Sequence, residues 1–262
     1  MIRPRLETHL RAQVANGRKL LIPYLMAGQC PEWLQVVEGL AAAGADAIEI
    51  GLPFSDPIMD GPVIQAAAVS ALHAGTTPMG ALAELSALNL EIPLVAMTYY
   101  NVAYRAGHER FAGRLVEAGV SGAILPDLSL EELDGWSEVA LAAGIDPVLL
   151  VAPATGVERT AAICQRSHGF VYAVGTMGVT GERTELATSV HEVVDKIRPL
   201  TDLPVCVGVG VSTPAHAATV TAFADGAIVG SALVRRLLDG GGVAGAVEFI
   251  SQLRSAIDEG PA

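Results

Sequence analysis

The chain has no long hydrophobic run. Half of its 262 residues are hydrophobic, yet stretches such as 148–152 are short and broken by Gly, Pro or charge, well under the roughly 18 residues a membrane span needs. No transmembrane segment is expected. The opening stretch MIRPRLETHLRAQVANGRKL carries charges throughout and has no apolar core, so it does not read as a secretory signal and a cytoplasmic location is expected. Positive charge is scarce: 16 Lys and Arg stand against 28 Asp and Glu, a formal net charge of -12. Nucleic acid and anionic membranes both demand basic patches, so neither is expected as a partner. An anionic substrate would have to be held by local backbone dipoles. Cysteine is rare too. Cys30, Cys164 and Cys206 are far apart, with no CxxC or Cys/His cluster, which suggests buried or loop thiols in a reducing compartment. His73, His108, His168, His191 and His216 show no metal-ligand spacing, and no metal is expected. Also missing are a Walker loop, a Ser-His-Asp arrangement and a strand-end lysine for a Schiff base.

What is present is regular alternation. Short β-type runs at 20–25, 47–51, 94–98, 122–125, 147–151, 170–174, 205–208 and 226–229 alternate with Ala- and Leu-rich helical segments, the pattern of βαβ units and a parallel sheet. The helical segments fall at about 31–43, 81–88, 109–118, 130–143, 157–167, 189–198, 214–223 and 243–257. Gly44, Gly119 and Gly144 sit where helix C-caps are needed. Eight such units, without a polar linker and without GxGxxG after the first strand, favour an α/β fold of one (β/α)8 TIM barrel over an open doubly wound sheet. The expected organisation is a single barrel domain over 1–262, with an extra N-terminal helix and a short phosphate-binding helix after strand 8.

In such a barrel the chemistry sits at the carboxyl ends of the strands. In 46–51 side chains alternate between faces, so Ile48 and Ile50 share one side and Ala47, Glu49 and Gly51 the other. If the isoleucines pack under helices, Glu49 points into the barrel, where a carboxylate is costly unless bonded, paired or functional. Asp60 follows on a Gly- and Pro-punctuated loop. The two acids are the candidate catalytic pair. After the last three strands come GVTGERTEL, VGVGVSTP and VGSALVRR. Gly181, Gly210 and Gly230 would admit phosphate oxygens close to backbone N–H groups, and Ser231 would add a hydroxyl at a helix N-terminus. The alternative, that these glycines only serve turns, stays open at this stage. Tyr24, Tyr99, Tyr100, Asn101, Asp127 and Tyr172 lie at or near strand ends, where a side chain is more often packing than a substrate contact; Tyr24, Tyr99, Asp127 and Tyr172 are nonetheless the substrate-binding candidates.

The strings LIPYLMAG, GADAIEIGLPFSDPIMDGPVIQ, MTYYN, ILPDL, GFVYAVGTMGVTGERTEL, PVCVGVGVSTP and ADGAIVGSALV occur in this order. Together they closely resemble the alpha subunit of tryptophan synthase, from Leu20 to about Leu238. The resemblance implies retro-aldol cleavage of indole-3-glycerol phosphate to indole and glyceraldehyde 3-phosphate by a carbon-carbon lyase of tryptophan biosynthesis. Glu49 matches the proton-carrying glutamate and Asp60 the aspartate that holds the indole nitrogen. Gly181, Gly210, Gly230 and Ser231 match phosphate-binding positions, Tyr24 an aromatic lining the indole pocket, and Tyr172 and Thr180 residues near the acids. A partner is implied as well: a beta subunit, in an alpha2beta2 assembly, carrying the pyridoxal phosphate, with no cofactor on this chain. Pro53, Phe54, Ser55 and Asp56 would lie in the loop that communicates with it. Gln29-Cys30, Met59, Val102, Ser129 and Gly175-Thr176 depart from the family's usual residues. Val102 and Ser129 lie in loops near the partner, which motivates a second reading, a free-standing lyase supplying indole elsewhere. A weakly catalytic barrel that mainly activates a partner, and a phosphosugar isomerase on the same barrel, are the further alternatives.

Overall fold

A computed structural model of the chain describes residues 4–175, 183–208 and 210–260. Helix α1 (Leu6–Ala15) leads into strand β1 (Leu20–Met26), and helix α2 (Trp33–Ala42) returns the chain to β2 (Ile48–Gly51). Helices α3 (Pro62–His73) and α4 (Pro78–Leu85) precede β3 (Leu94–Met97), and α5 (Tyr100–Ala106) and α6 (His108–Glu117) precede β4 (Val120–Ile124). Helix α7 (Asp134–Ala143), the strand pair β5 (Asp146–Pro147) and β6 (Leu149–Val151), and α8 (Val157–Arg166) follow. The remainder runs β7 (Val171–Val174), α9 (Arg183–Ile197), β8 (Val205–Gly208), α10 (Pro214–Phe223), β9 (Gly226–Val229), α11 (Ser231–Leu238) and α12 (Gly242–Glu259).

All ladders are parallel, in the spatial order β5-β4-β3-β2-β1-β9-β8-β7-β6. The two ends of that order are one continuous piece of chain. The run expected as a single strand at 147–151 is split at Val148: its first half pairs with β4 and its second with β7. A strand passing from one neighbour to the other in this way closes the barrel, and the stagger that closure requires accounts for the break. Gly44, Gly119 and Gly144 all adopt positive φ just beyond helix ends, as left-handed C-caps require. Two helices absent from the sequence reading, α3 and α5, fill loops after β2 and β3.

Two apolar layers make the core. Ile48 and Ile50 pack outward into the layer between sheet and helices, whereas Ala47, Val95, Ile124, Phe170, Cys206 and Ile228 fill the barrel interior. Leu6 and Leu10 of α1 complete the inner cluster. The extra N-terminal helix is therefore a stopper at the amino-terminal mouth of the barrel, each buried Leu contributing roughly 2 kcal/mol. Leu6 reaches so far in that a Cβ on Gly122 would lie 2.4 Å from its Cδ2. With one mouth plugged, the carboxyl-terminal mouth is left for a ligand. Among the described residues, no helix is long and apolar enough to cross a membrane.

Candidate active site

Strand β2 delivers Glu49 to that open mouth. It pairs in register with Tyr24 of β1 on one side and Val95 of β3 on the other, so the inward face of three adjacent strands meets at its side chain. Glu49 is 1% exposed, and both of its carboxylate oxygens are buried without a hydrogen-bond partner. An ionised carboxylate there would lose its hydration with nothing in return. Burial, with Asp60 adding like charge, pushes its pKa up to about 8. At neutral pH Glu49 holds a proton.

Asp60 reaches the same cavity from the loop between β2 and α3, and Tyr99 holds it there. The Tyr99 hydroxyl donates to Asp60 Oδ2 at 3.0 Å and accepts from the Met59 N–H at 2.9 Å. Phe54 stacks on the Tyr99 ring at 5.0 Å between centroids. Burial raises the Asp60 pKa, and the bond from Tyr99 pulls against that shift. The Tyr99 phenol is itself pushed up to about 12, chiefly by burial, so it stays a donor. The two acids are thus tuned differently: one has no donor near it, the other has one.

Together Tyr24, Glu49, Asp60, Ile64, Met97 and Tyr172 line a cavity of about 160 Å3, whose other wall is Gly208, Gly210, Val211, Ile228, Gly230 and Ser231. Gly51 and Gly208 create room for the tyrosines. A Cβ on Gly51 would lie 2.1 Å from the Tyr24 hydroxyl, and one on Gly208 2.3 Å from that of Tyr172. Tyr24 is buried and Tyr172 half-buried, and loss of hydration together with the nearby acids raises both phenol pKa values well above the ordinary value. Opposite them, Gly230 caps α11 and Ser231 opens it. The first intrahelical bond runs from Val234 N–H to Gly230 O, so the N–H groups of the first turn have no partner within the helix, at a wall of the cavity that Gly230 and Ser231 line. Gly210, at φ +45, lines the same wall. One end of the cavity is therefore acidic and aromatic, the other rich in backbone donors.

Of the candidate substrate residues, Tyr24, Tyr172, Gly210, Gly230 and Ser231 meet at this cavity. Tyr99 stands behind the Asp60 loop, and Asp127 lies elsewhere: its Oδ1 accepts from Tyr100 N–H at 2.7 Å, capping α5. Asp127 faces a neighbouring cleft of about 460 Å3 with Met59, Leu128, Ser129, Leu149 and Arg159. Thr180 and Gly181 lie outside the described residues. In the loop expected to communicate with a partner, Pro53 is buried, Phe54 half-buried, and Ser55 and Asp56 exposed. Met97, Ile64 and Ile228 are lining residues the sequence reading missed. Met97 ends β3 two residues after inward-facing Val95, so period 2 alone could have found it. Among the described residues, no group of three or more His, Cys, Asp or Glu side chains could hold a metal ion.

The family model described as tryptophan synthase alpha chain matches residues 10–252. The tryptophan synthase alpha chain of Synechococcus sp. (strain CC9902) is 48% identical over 252 residues, covering 93% of each chain. That of Thermobifida fusca is 46% identical over 231 residues, covering 86% of each. Among solved structures, a tryptophan synthase from Mycobacterium tuberculosis superposes with a TM-score of 0.88 at 39% identity, over 97% of this chain and 98% of the other. The alpha subunit from Legionella pneumophila gives 0.87 at 33% identity, with the same coverages.

Proposed function

Because the chain belongs to the tryptophan synthase alpha chain family, we propose a division of labour among its residues for the reaction of that family. The chain is a carbon-carbon lyase that cleaves indole-3-glycerol phosphate to indole and glyceraldehyde 3-phosphate in tryptophan biosynthesis. A single observation carries the assignment of roles: a buried, unpartnered and protonated Glu49 shares one cavity with Asp60 and with an anion seat opposite.

The phosphate takes the backbone donors at Gly210, Gly230 and Ser231, which sets the indole end against the acids. Glu49 gives its proton to the ring carbon bearing the glycerol chain. The ring becomes an iminium-like cation, and its N–H donates to the Asp60 carboxylate, a charge-assisted bond that strengthens as the positive charge develops. Glu49, now a carboxylate, takes the proton of the adjacent glycerol hydroxyl. The O–H electrons form the aldehyde carbonyl, the carbon-carbon bond breaks, and its electron pair returns to the ring. Indole and glyceraldehyde 3-phosphate result, and Glu49 ends protonated as it began. Tyr24 and Tyr172 wall the indole end against water. The cycle needs no cofactor on this chain.

A beta subunit is the partner in this proposal, in an alpha2beta2 assembly, and pyridoxal phosphate belongs to it. Support comes from the apolar side chains offered to solvent at the working end: Ile58 and Met59, 84% and 57% exposed, beside Asp60, and Tyr104, 67% exposed, on α5. Aromatic and Met side chains left in water suit an interface core. A cytoplasmic setting is part of the same reading, supported by three free cysteines. The test is indole release from indole-3-glycerol phosphate by the purified chain, without and with its cognate beta subunit. Slow release alone and faster release with the partner are expected. No indole in either case would refute the reaction, and fast release indifferent to the partner would refute the subunit role in favour of a free-standing lyase.

A further inference from the structure

Asp60 works from a loop, and its carboxyl is held by Tyr99; its backbone is held by a different residue. Gln65 sits in the first turns of α3, where Pro62 opens the helix and Gln65 N–H makes the bond to Gly61 O at 3.0 Å. Its side-chain amide turns back over the loop. Gln65 Nε2 donates to the Asp60 carbonyl at 2.9 Å and to the Pro57 carbonyl at 3.3 Å. Those two carbonyls bound a tight turn, closed by Asp60 N–H to Pro57 O at 3.1 Å. One NH2 group, with two hydrogens, thus spans both ends of the turn that aims Asp60 into the cavity.

Helix α3 is a firm anchor for such a clamp, because Ile64, Ala67, Ala68 and Ala71 are buried in its inner face and pack with Tyr24 and Val234. Ile64 also lines the cavity beside Asp60. The opposite flank of the loop, Ser55, Asp56, Ile58 and Met59, is exposed and gains little from the core. We infer that Gln65 is a positioning residue for the cleavage reaction, clamping the 57–60 turn so that the Asp60 carboxylate meets the indole nitrogen. This deepens the proposed function and rests on the role given there to Asp60.

Gln65 is exposed, so isosteric changes leave the core intact. Gln65→Met keeps length and helix propensity but removes the donor; Gln65→Glu turns the donor into an acceptor facing two carbonyls. Steady-state turnover of indole-3-glycerol phosphate is measured for both with the full chain, alongside the unsubstituted chain and Asp60→Asn. Loss of one turn clamp lowers kcat about fivefold in Gln65→Met and further in Gln65→Glu, with KM within about twofold because the phosphate seat lies across the cavity. Gln65→Lys, which restores a donor of similar reach, recovers kcat. Melting temperatures stay within about 2 °C throughout. Unchanged kcat in Gln65→Met and Gln65→Glu overturns the inference, as does a fall in kcat that tracks a fall in melting temperature or that Gln65→Lys leaves uncorrected. If the unsubstituted chain releases no indole, or Asp60→Asn equals it, the proposed function fails instead.

Discussion

Strand β2 is preceded by one buried acid and carries another, and the two are treated in opposite ways. Asp46, at the amino-terminal mouth, is 3% exposed and fully engaged: Arg18 Nε donates to it at 2.5 Å, Leu21 N–H at 2.8 Å and Arg254 Nη1 at 3.3 Å. Glu49, three residues on at the carboxyl-terminal mouth, is as deeply buried and has no partner on either oxygen. The same contrast holds around the barrel. Asp146 accepts from Glu7 N–H, and Asp225 from Val205 N–H and Arg198, both near strand starts. Partnered acids tie α1, α12 and the loops to the sheet; the unpartnered acid is the proton store of the proposed cycle. Stability is built at one mouth and chemistry at the other, as barrels of this kind arrange it.

Breaking the contrast at its working end gives the largest effect. Glu49→Gln keeps shape but cannot carry a proton, and general acid-base catalysis is worth about 100- to 10,000-fold. The expected loss in indole release is about 1,000-fold, with the phosphate seat still binding glyceraldehyde 3-phosphate. Unchanged turnover would remove Glu49 from the mechanism. Stability moves the other way. A carboxyl with its folded-state pKa raised from 4.5 to about 8 contributes stability that is fully present below 4.5 and is lost as pH rises through 8. Urea titrations of the parent chain therefore show stability falling between pH 5 and pH 9, by up to about 4 kcal/mol from this group. In Glu49→Gln that fall is reduced, so the variant is the more stable protein at pH 9. The parent's kcat/KM declines above pH 8, as Glu49 enters the cycle as an acid.

At the other mouth the signs invert. Asp46→Asn leaves the Arg254 guanidinium, itself buried, with Asp258 as its remaining carboxylate. Removing one partner of a buried ion pair costs about 3 kcal/mol or more, a drop in Tm of roughly 8 °C. Activity of the folded fraction at 25 °C stays at the parent level. A variant that lost turnover without losing stability would refute the separation between the two mouths.

How much of this was legible in the sequence follows the same division between local and distant causes. The strand period predicted the inward direction of Glu49 because the outward Ile48 and Ile50 flank it directly, and eight alternating units were enough for a closed barrel. Gly230-Ser231 at a helix start was likewise a local signal, and both residues line the cavity. Helix α3 went unread because its apolar period is weak, with alanines on both sides and Val69 on the exposed face beside Gln65, and the Pro62 start signal was absorbed into the preceding loop. The split at Val148 arises from closure, a property of the whole sheet. Asp127 and Tyr99 show the same limit. The bond from Tyr100 N–H to Asp127 spans 27 residues and that from Tyr99 to Asp60 spans 39; a strand-end position cannot tell a helix cap or a loop brace from a substrate contact.

The smallest effect sharpens the contrast by altering the one working acid that does have a side-chain donor. Tyr99→Phe keeps the ring that stacks on Phe54 and removes the hydroxyl that serves both Asp60 and the Met59 N–H. Burial already raises the Asp60 pKa and the hydroxyl opposes it, so its loss moves Asp60 toward the state of Glu49. In the proposed cycle Asp60 has to be ionised to stabilise positive charge on the indole nitrogen, whereas Glu49 has to be protonated to start it. The pH window in which both conditions hold therefore narrows from its acid side. A hydrogen bond to a charged group is worth about 1.5–3 kcal/mol, so kcat/KM falls about tenfold or somewhat more near pH 6 and less near pH 8. A pH profile of indole release distinguishes this from simple loosening of the loop: loosening lowers the whole curve evenly, while loss of the donor shifts its acid limb upward and leaves the basic limb, set by Glu49, in place.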